Sequence, residues 1–331
     1  MHQDPTQQPW WPELTPAMRG VVLGMARAAL PPMHTQTPQQ ARQSYSQAAQ
    51  VLEENMPPGV HWRDGCLPAR DGHPLPYRLY LPSPPDAARP PAASPLPATL
   101  PGVLYLHGGG FTIGGIGTHD VLCARMAAGA QVAVFSLEYR LAPEYRFPTA
   151  VEDSWDALQW LARHGRDWGL NPARLAVAGD SAGGTLAAVL ALMARDAGLP
   201  LQAQCLIYPG ATAHQDTASH QRFATGPVLT EALLTWFFQH YIDHAQREDW
   251  RFAPLLAPEL EGAAPALLVL AECDALVDEG IAYADRLRME GVPVQLELYR
   301  GVTHEFIKMG RALPEAAQAH AAIAAFLRER L

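Results

Sequence analysis

Six apolar runs recur along the chain: GVLYLH (102–107), QVAVFSL (131–137), RLAVAG (174–179), QAQCLIYP (202–209), PALLVLAE (265–272) and VPVQLELY (292–299). Each has the length of a strand. Between them lie stretches with helical spacing, at 118–129, 148–164, 183–197 and 279–290. Strands alternating with helices predict an α/β architecture, in which a mostly parallel sheet is covered on both faces. A further segment, LPYRLYLP (75–82), alternates like a half-buried strand. No internal repeat breaks the series.

Two regions depart from the alternation. Ahead of the strands, Thr15-Pro16 and Thr37-Pro38 each pair an N-cap residue with proline at the first helical position. Leu14, Met18, Val21, Val22 and Met25 mark one face of the first helix, and a polar-rich second helix is predicted from Pro38 to Glu54. Gly20 and Gly24 in the first helix read equally as close packing against a neighbour or as a weak helix. Residues 1–13 are polar and proline-rich and are expected to fray, and Pro82–Pro101 reads as an exposed proline-rich loop. The second departure is 210–250, a loop followed by an aromatic-rich helix from about Thr230 to His244. Leu233, Phe237, His240 and Tyr241 share helical spacing there. They either pack on the core or form an apolar lid.

Composition narrows the class. With 331 residues, 48% hydrophobic and 17% charged, the chain can bury a sizeable core. Its net charge of −9, with no Lys/Arg block, argues against a nucleic-acid partner, because phosphate neutralisation needs a basic patch. No apolar run reaches the ~18 residues of a membrane span. The start, MHQDPTQQPWWPEL, lacks the basic and apolar regions of a signal peptide. The four cysteines, Cys66, Cys123, Cys205 and Cys273, form no CxxC pair or metal-ligand spacing. Cys123 and Cys205 read as small core residues, and the cytoplasm is the default compartment.

The chemistry concentrates after the strands. Gly179-Asp180-Ser181-Ala182-Gly183 stands between an apolar strand and an alanine-rich helix, which gives G-x-S-x-G its meaning as a nucleophile turn. The corner is tight, so its neighbours must be small, and the helix start behind Ser181 favours developing negative charge. A phosphate loop is excluded because no GK[ST] follows. A serine needs a base and an orienting acid. On such a fold they follow in the order acid, then histidine. Asp274 lies just past the strand 265–272, with Asp278 and Glu279 as rivals at the start of the next helix. His304 follows the strand 292–299, and of 13 histidines it alone holds the expected place; His214, His220, His240 and His244 in the insert read as surface residues. His107-Gly108-Gly109-Gly110 follows a strand directly, as an oxyanion loop does when its backbone must approach a substrate closely. The same glycines do not complete a dinucleotide fingerprint, since G-x-G-x-x-G and its acidic partner are missing.

These segments resemble the bacterial hormone-sensitive-lipase-like esterases of the α/β-hydrolase superfamily, in the subgroup with Asp before the serine. The resemblance runs from about residue 14 onward and rests on HGGGF (107–111), EYRLAPE (138–144), FPTAVED (147–153), GDSAGG (179–184), AECDALVDEG (271–280) and GVTHEF (301–306). It implies an α/β-hydrolase fold: a mostly parallel central sheet flanked by helices, with a helical cap. On that reading residues 1–55 are cap helices, 56–209 and 251–331 form the catalytic domain, and 210–250 is a cap insertion. It implies a triad of Ser181, Asp274 and His304, with oxyanion donors from the N–H groups of Gly109, Gly110 and Ala182. It gives Glu144 and Asp153 a supporting part near the oxyanion loop. Two departures stand out. GATAHQD (210–216) follows Tyr208-Pro209 where relatives carry an acid sooner, and DALVDEG lacks the usual proline and arginine.

The expected activity is serine carboxylesterase action on short- to medium-chain acyl esters, with no metal or organic cofactor. Met18, Val22, Met25, Trp236 and Phe237 are the expected lining of an apolar pocket. An amidase, deacetylase or lactonase would use the same triad. A non-catalytic small-molecule binding protein on this fold would be expected to lose the serine or histidine, and both are present. The partner is a small-molecule ester. Related proteins pair edge strands between subunits, and 292–299 is the strand available for a homodimer.

Overall fold

The computed structural model describes residues 4–83 and 100–331, so most of the expected proline-rich loop at 82–101 lies outside the described residues. Eight strands form one sheet: β1 (Val60–Pro68), β2 (Pro74–Pro82), β3 (Leu100–Leu106), β4 (Ala133–Leu137), β5 (Leu170–Asp180), β6 (Ala203–Ile207), β7 (Ala266–Cys273) and β8 (Val294–Thr303). Their spatial order is β1-β2-β4-β3-β5-β6-β7-β8. β1 pairs antiparallel with β2 and β2 with β4, whereas every pairing from β4 through β3 to β8 is parallel.

The helices are α1 (Pro16–Ala28), α2 (Pro38–Leu52), α3 (Asp120–Ala130), α4 (Thr149–His164), α5 (Ala182–Asp196), α6 (Ala218–Arg222), α7 (Glu231–Tyr241), α8 (Val277–Met289) and α9 (Pro314–Arg330). Side chains alternate across a strand, so each central strand feeds two cores. Leu104, Leu106, Leu175 and Val177 belong to the core shared with α4, α5 and α8, and Val103, Tyr105, Ala176 and Ala178 to the core shared with α3 and α9. This two-sided burial explains why β3, β5, β6 and β7 read as unbroken apolar runs. α1 and α2 begin as the caps predict: Thr15 accepts from Met18 N–H, and Thr37 and Gln40 form a reciprocal capping box.

Several expectations need correction. β1 was not anticipated: it is an edge strand with mostly exposed residues, and its polar text VHWRDGCLP carries no clean alternation. α9 was also missed, because its alanine-rich pattern has little contrast between faces. The N-terminal segment is not frayed over its described part. Trp10 is buried and donates to the Thr225 carbonyl at 3.2 Å, and Glu13 pairs with Arg222. Gly20 and Gly24 have open space where a side chain would sit, so close packing is not their reason. His220 is buried rather than on the surface: Thr217 Oγ1 meets its Nδ1 at 2.8 Å, and its Nε2 faces Glu279 at 3.3 Å.

The loop after β4 is fixed by an ion pair with one end inside the protein. Asp153 is fully buried and accepts from the Arg140 guanidinium at 2.6 Å and 2.9 Å and from its backbone N–H at 3.0 Å. Arg140→Met leaves that carboxylate without its counter-charge and is expected to lower stability by about 3–5 kcal/mol. Adding Asp153→Leu removes the stranded charge and should recover a large part of the loss. The urea midpoints of the two variants check this.

Candidate active site

Parallel strands end on one side of the sheet, and the chemistry collects there. Between β5 and α5 the chain turns at Ser181 with φ 52° and ψ −123°, a conformation costly for any residue with a side chain. The Ser181 N–H donates to the Ile207 carbonyl at 2.8 Å, and its carbonyl accepts from Thr185 N–H at 3.0 Å. The flanking glycines are steric necessities. A Cβ on Gly179 would collide with the Gly183 carbonyl, and one on Gly183 with the Leu106 carbonyl.

Two further strands deliver the partners. His304, just past β8, lies with Nε2 2.9 Å from Ser181 Oγ and Nδ1 2.6 Å from Asp274 Oδ2. Asp274, just past β7, accepts on its other oxygen from Leu276 N–H at 3.0 Å. Both Asp274 and His304 are buried. Burial alone would pull the His304 pKa down, but the Asp274 charge and hydrogen bond, with lesser help from Glu305 and Asp180, hold it above the ordinary imidazole value. Such an array can take a proton from the serine and stabilise the resulting imidazolium.

The two rival acids serve elsewhere. Asp278 accepts from Ser219 N–H at 2.7 Å. Glu279 accepts from the N–H groups of Ala211 and Thr212, the latter at 2.7 Å. This buried carboxylate from α8 secures the GATA stretch, which is how the chain manages without an acid of its own directly after Tyr208-Pro209.

The glycine loop after β3 reaches over the serine. Gly109 and Gly110 have φ 117° and 56°, and a Cβ on Gly110 would collide with the Phe237 ring. Among the described residues neither amide N–H has a protein acceptor. Ala182 is the first residue of α5, where an N–H has no partner within the helix. The loop is tied down by Asp180, fully buried, which accepts from Gly108 N–H at 2.9 Å and Tyr105 O–H at 2.6 Å and meets His119 Nε2 at 3.2 Å. Burial opposes its charge, yet attraction to His119, the bond from that ring, the Lys308 charge and the Tyr105 bond hold it below the usual carboxylate range. His107 stacks on Tyr139 with centroids 4.2 Å apart, and burial pushes its pKa down to about 3, so it is neutral.

Glu144 and Asp153 act through arginines. Glu144 grips Arg42 of α2, whose Nε donates to the Thr112 carbonyl at 2.9 Å and whose Nη2 donates to the Ala142 carbonyl at 2.8 Å. Arg42 had no signal in the sequence, since a polar helix residue reads as solvated. Asp180 was visible as the residue before the serine, but its grip on Gly108 needs β3 beside β5.

Two cavities flank Ser181 and share Gly110, Leu229 and Phe237 as a partition. The smaller, about 50 Å³, is lined by Ala182, Thr185, Phe238 and Phe252. The larger, about 200 Å³, is lined by His304, Tyr45, Met25 and Leu233. Of the apolar residues expected to line a pocket, Met25 and Phe237 do. Met18 and Val22 instead pack in the core with Trp10, and half-buried Trp236 packs its ring against those of Phe237 and His240.

A match to the alpha/beta hydrolase fold family spans residues 103–308. The chain belongs to that family, among its hormone-sensitive-lipase-like esterases, and is a carboxylesterase. It is 40% identical to an ethyl acetate hydrolase of Pseudomonas putida over 92% of this chain and 94% of that one. It is likewise 40% identical to the carboxylesterase NlhH of Mycobacterium tuberculosis, over 66% of this chain and 70% of the relative. Among solved structures it resembles the hyperthermophilic esterase of the archaeon Pyrobaculum calidifontis, with a TM-score of 0.87, 35% identity, and coverage of 96% and 98%.

The His304 ring, followed by NMR, is expected to titrate above pH ~6.5, the ordinary value. Asp274→Asn removes the largest influence that favours the charged ring, so the midpoint should fall from its wild-type position. Gly110→Ala puts a methyl group into Phe237 at a left-handed backbone position; turnover should drop roughly 10²–10³-fold, as when one oxyanion donor is lost.

Proposed function

We propose that Ser181, His304 and Asp274 are nucleophile, base and orienting acid in the hydrolysis of short-acyl carboxylic esters. The observation that carries this is the unbroken hydrogen-bonded chain from Asp274 through His304 to Ser181. Ser181 Oγ attacks the ester carbonyl carbon while His304 Nε2 takes its proton. The oxyanion is received by the N–H groups of Gly109, Gly110 and Ala182. On collapse the ester C–O bond breaks, and His304 returns the proton to the departing alcohol oxygen. Water, deprotonated by the same ring, then attacks the acyl-enzyme and releases the acid and Ser181.

The proton route orients the substrate. The leaving alcohol takes its proton from His304, so it belongs in the larger cavity, which His304 lines; the acyl group belongs in the smaller one. The acyl chain is therefore held to the short end of the range, and the alcohol is free to be larger. The name of the Pseudomonas putida relative, an ethyl acetate hydrolase, agrees with a two-carbon acyl group. Helices α1 and α2 and residues 210–250 act as the cap, since Met25, Tyr45, Leu229 and Phe237 close these cavities. Four free cysteines fit the cytoplasm. The outer strand β8, with Leu298 exposed, suits pairing with a second copy; light scattering that returns a monomer mass would remove that part.

Hydrolysis of p-nitrophenyl esters from acetate to palmitate tests the reading. Activity is expected to be greatest at two to four acyl carbons, to fall steeply beyond, and to collapse in Ser181→Ala. Activity that survives in Ser181→Ala would mean a different nucleophile, and a maximum at long chains would reverse the cavity assignment.

A further inference from the structure

The helix α2 touches both halves of the catalytic machinery from one face. Residues three apart on a helix are neighbours, and Arg42 and Tyr45 point to different loops. Arg42 spans the oxyanion side. Its Nε holds the Thr112 carbonyl at 2.9 Å, its Nη2 holds the Ala142 carbonyl at 2.8 Å, and Glu144 fixes the guanidinium. The Thr112 carbonyl belongs to the turn that carries the oxyanion amides, and the Ala142 carbonyl to the loop after β4 that is hydrogen-bonded to it. Thr112 N–H and Ile113 N–H both donate to the Gly109 carbonyl, at 3.0 Å and 2.9 Å, and Thr112 Oγ1 donates to the Gly110 carbonyl at 3.1 Å. Ala142 N–H donates to the Phe111 carbonyl at 2.8 Å.

Tyr45 spans the histidine side. Its O–H donates to Glu305 Oε1 at 2.7 Å and accepts from Lys308 Nζ at 2.6 Å. Glu305 directly follows His304 and sits in the left-handed region with φ 64°, where a residue with a Cβ stays only if its surroundings hold it. Tyr45 and Lys308 are both buried, so these bonds are shielded from water.

We propose that Arg42 and Tyr45 are positioning residues that together set the separation between the oxyanion loop and the His304 loop, so that α2 is a clamp on the reacting geometry as well as a cover over it. The proposal rests on the serine-esterase reading above, and it adds that transition-state geometry depends on two groups that touch no reacting atom. Displacing reacting groups by about 1 Å can cost about 10²-fold in rate. The clamp is therefore expected to act on kcat, and an unchanged KM is its mark at Arg42, which lines neither cavity, Tyr45 being part of the wall of the larger one.

The two arms hold opposite sides of one gap, and that gives a sharp test. Releasing either arm already frees the gap, so releasing both costs little more. Two independent supports would instead give losses that multiply. The measurement is kcat and KM for p-nitrophenyl acetate in Arg42→Lys, Tyr45→Phe and the double variant, per active site titrated with diethyl p-nitrophenyl phosphate. Arg42→Lys keeps the charge for Glu144 but cannot reach two carbonyls at once, and Tyr45→Phe keeps the ring in its place. Each single variant is expected to lose about 10-fold in kcat, with KM within about twofold in Arg42→Lys, and the double variant to lose no more kcat than about twice the worse single.

Gln40→Ala weakens the capping box of the same helix and should lower the melting temperature with kcat retained, which separates helix stability from clamping. Losses in the double variant that equal the product of the singles, or wild-type kcat in both singles, would overturn the proposal. So would a loss in Gln40→Ala as large as in the arms. Ser181→Ala in the same series keeps the two readings apart. If it is inactive while the arms have no effect, only the clamp fails; if it remains active, the nucleophile assignment fails first.

Discussion

The site depends on the backbone corner at Ser181. A residue with a side chain is held at φ 52°, and a helix starts on the next residue. Local preference opposes that conformation, so the surroundings must impose it. They do so by close approach: β3 and β5 lie side by side, and Gly179 and Gly183 have carbonyls from Gly183 and Leu106 where a Cβ would be. The same closeness raises the hydroxyl beyond the sheet edge and points the start of α5 at the reaction.

A buried charge then ties the corner to the loop beside it. Asp180 has no access to solvent, and an isolated carboxylate there would be costly. It is satisfied by Gly108 N–H, Tyr105 O–H and the His119 ring. Because Gly108 belongs to the glycine loop after β3, satisfying this charge also fixes where the Gly109 and Gly110 amides lie, the two proposed to receive the oxyanion. Glu279 follows the same logic on the other side, where its buried carboxylate gathers the N–H groups of Ala211 and Thr212 at the edge of the smaller cavity. Buried carboxylates here organise loops that have no regular structure of their own.

Helix α7 completes the geometry. Phe237 of α7 occupies the space left by the missing side chain of Gly110 and helps divide the cavity beside Ser181 in two. Tyr241, one turn on, stacks on Phe111 at 3.9 Å between centroids. The aromatic helix thus packs on the core and lines the pocket at once; the two readings of its apolar face were not alternatives. α2 contributes polar arms where α7 contributes rings.

The sequence by itself determined the α/β alternation and the glycine-flanked turn at Ser181, and it singled out Asp274 and His304, the residues proposed here as acid and base. Strand runs buried on both faces are apolar throughout, and G-x-S-x-G between a strand and a helix has few other uses. The choice of Asp274 over Asp278 and Glu279 was only partly legible, because all three lie within six residues; what separates them is which carboxylate His304, on the loop after β8, reaches. Tertiary structure alone decided the work of Arg42, Tyr45, Asp180 and Glu279, the burial of Trp10 and His220, and the presence of the polar edge strand β1. Most of those features rest on partners far along the chain: Tyr45 and Glu305 are 260 positions apart, and Trp10 and Thr225 are 215 apart. A hydrogen bond between distant residues leaves no periodicity in either segment, so it can be read only once the chain has folded.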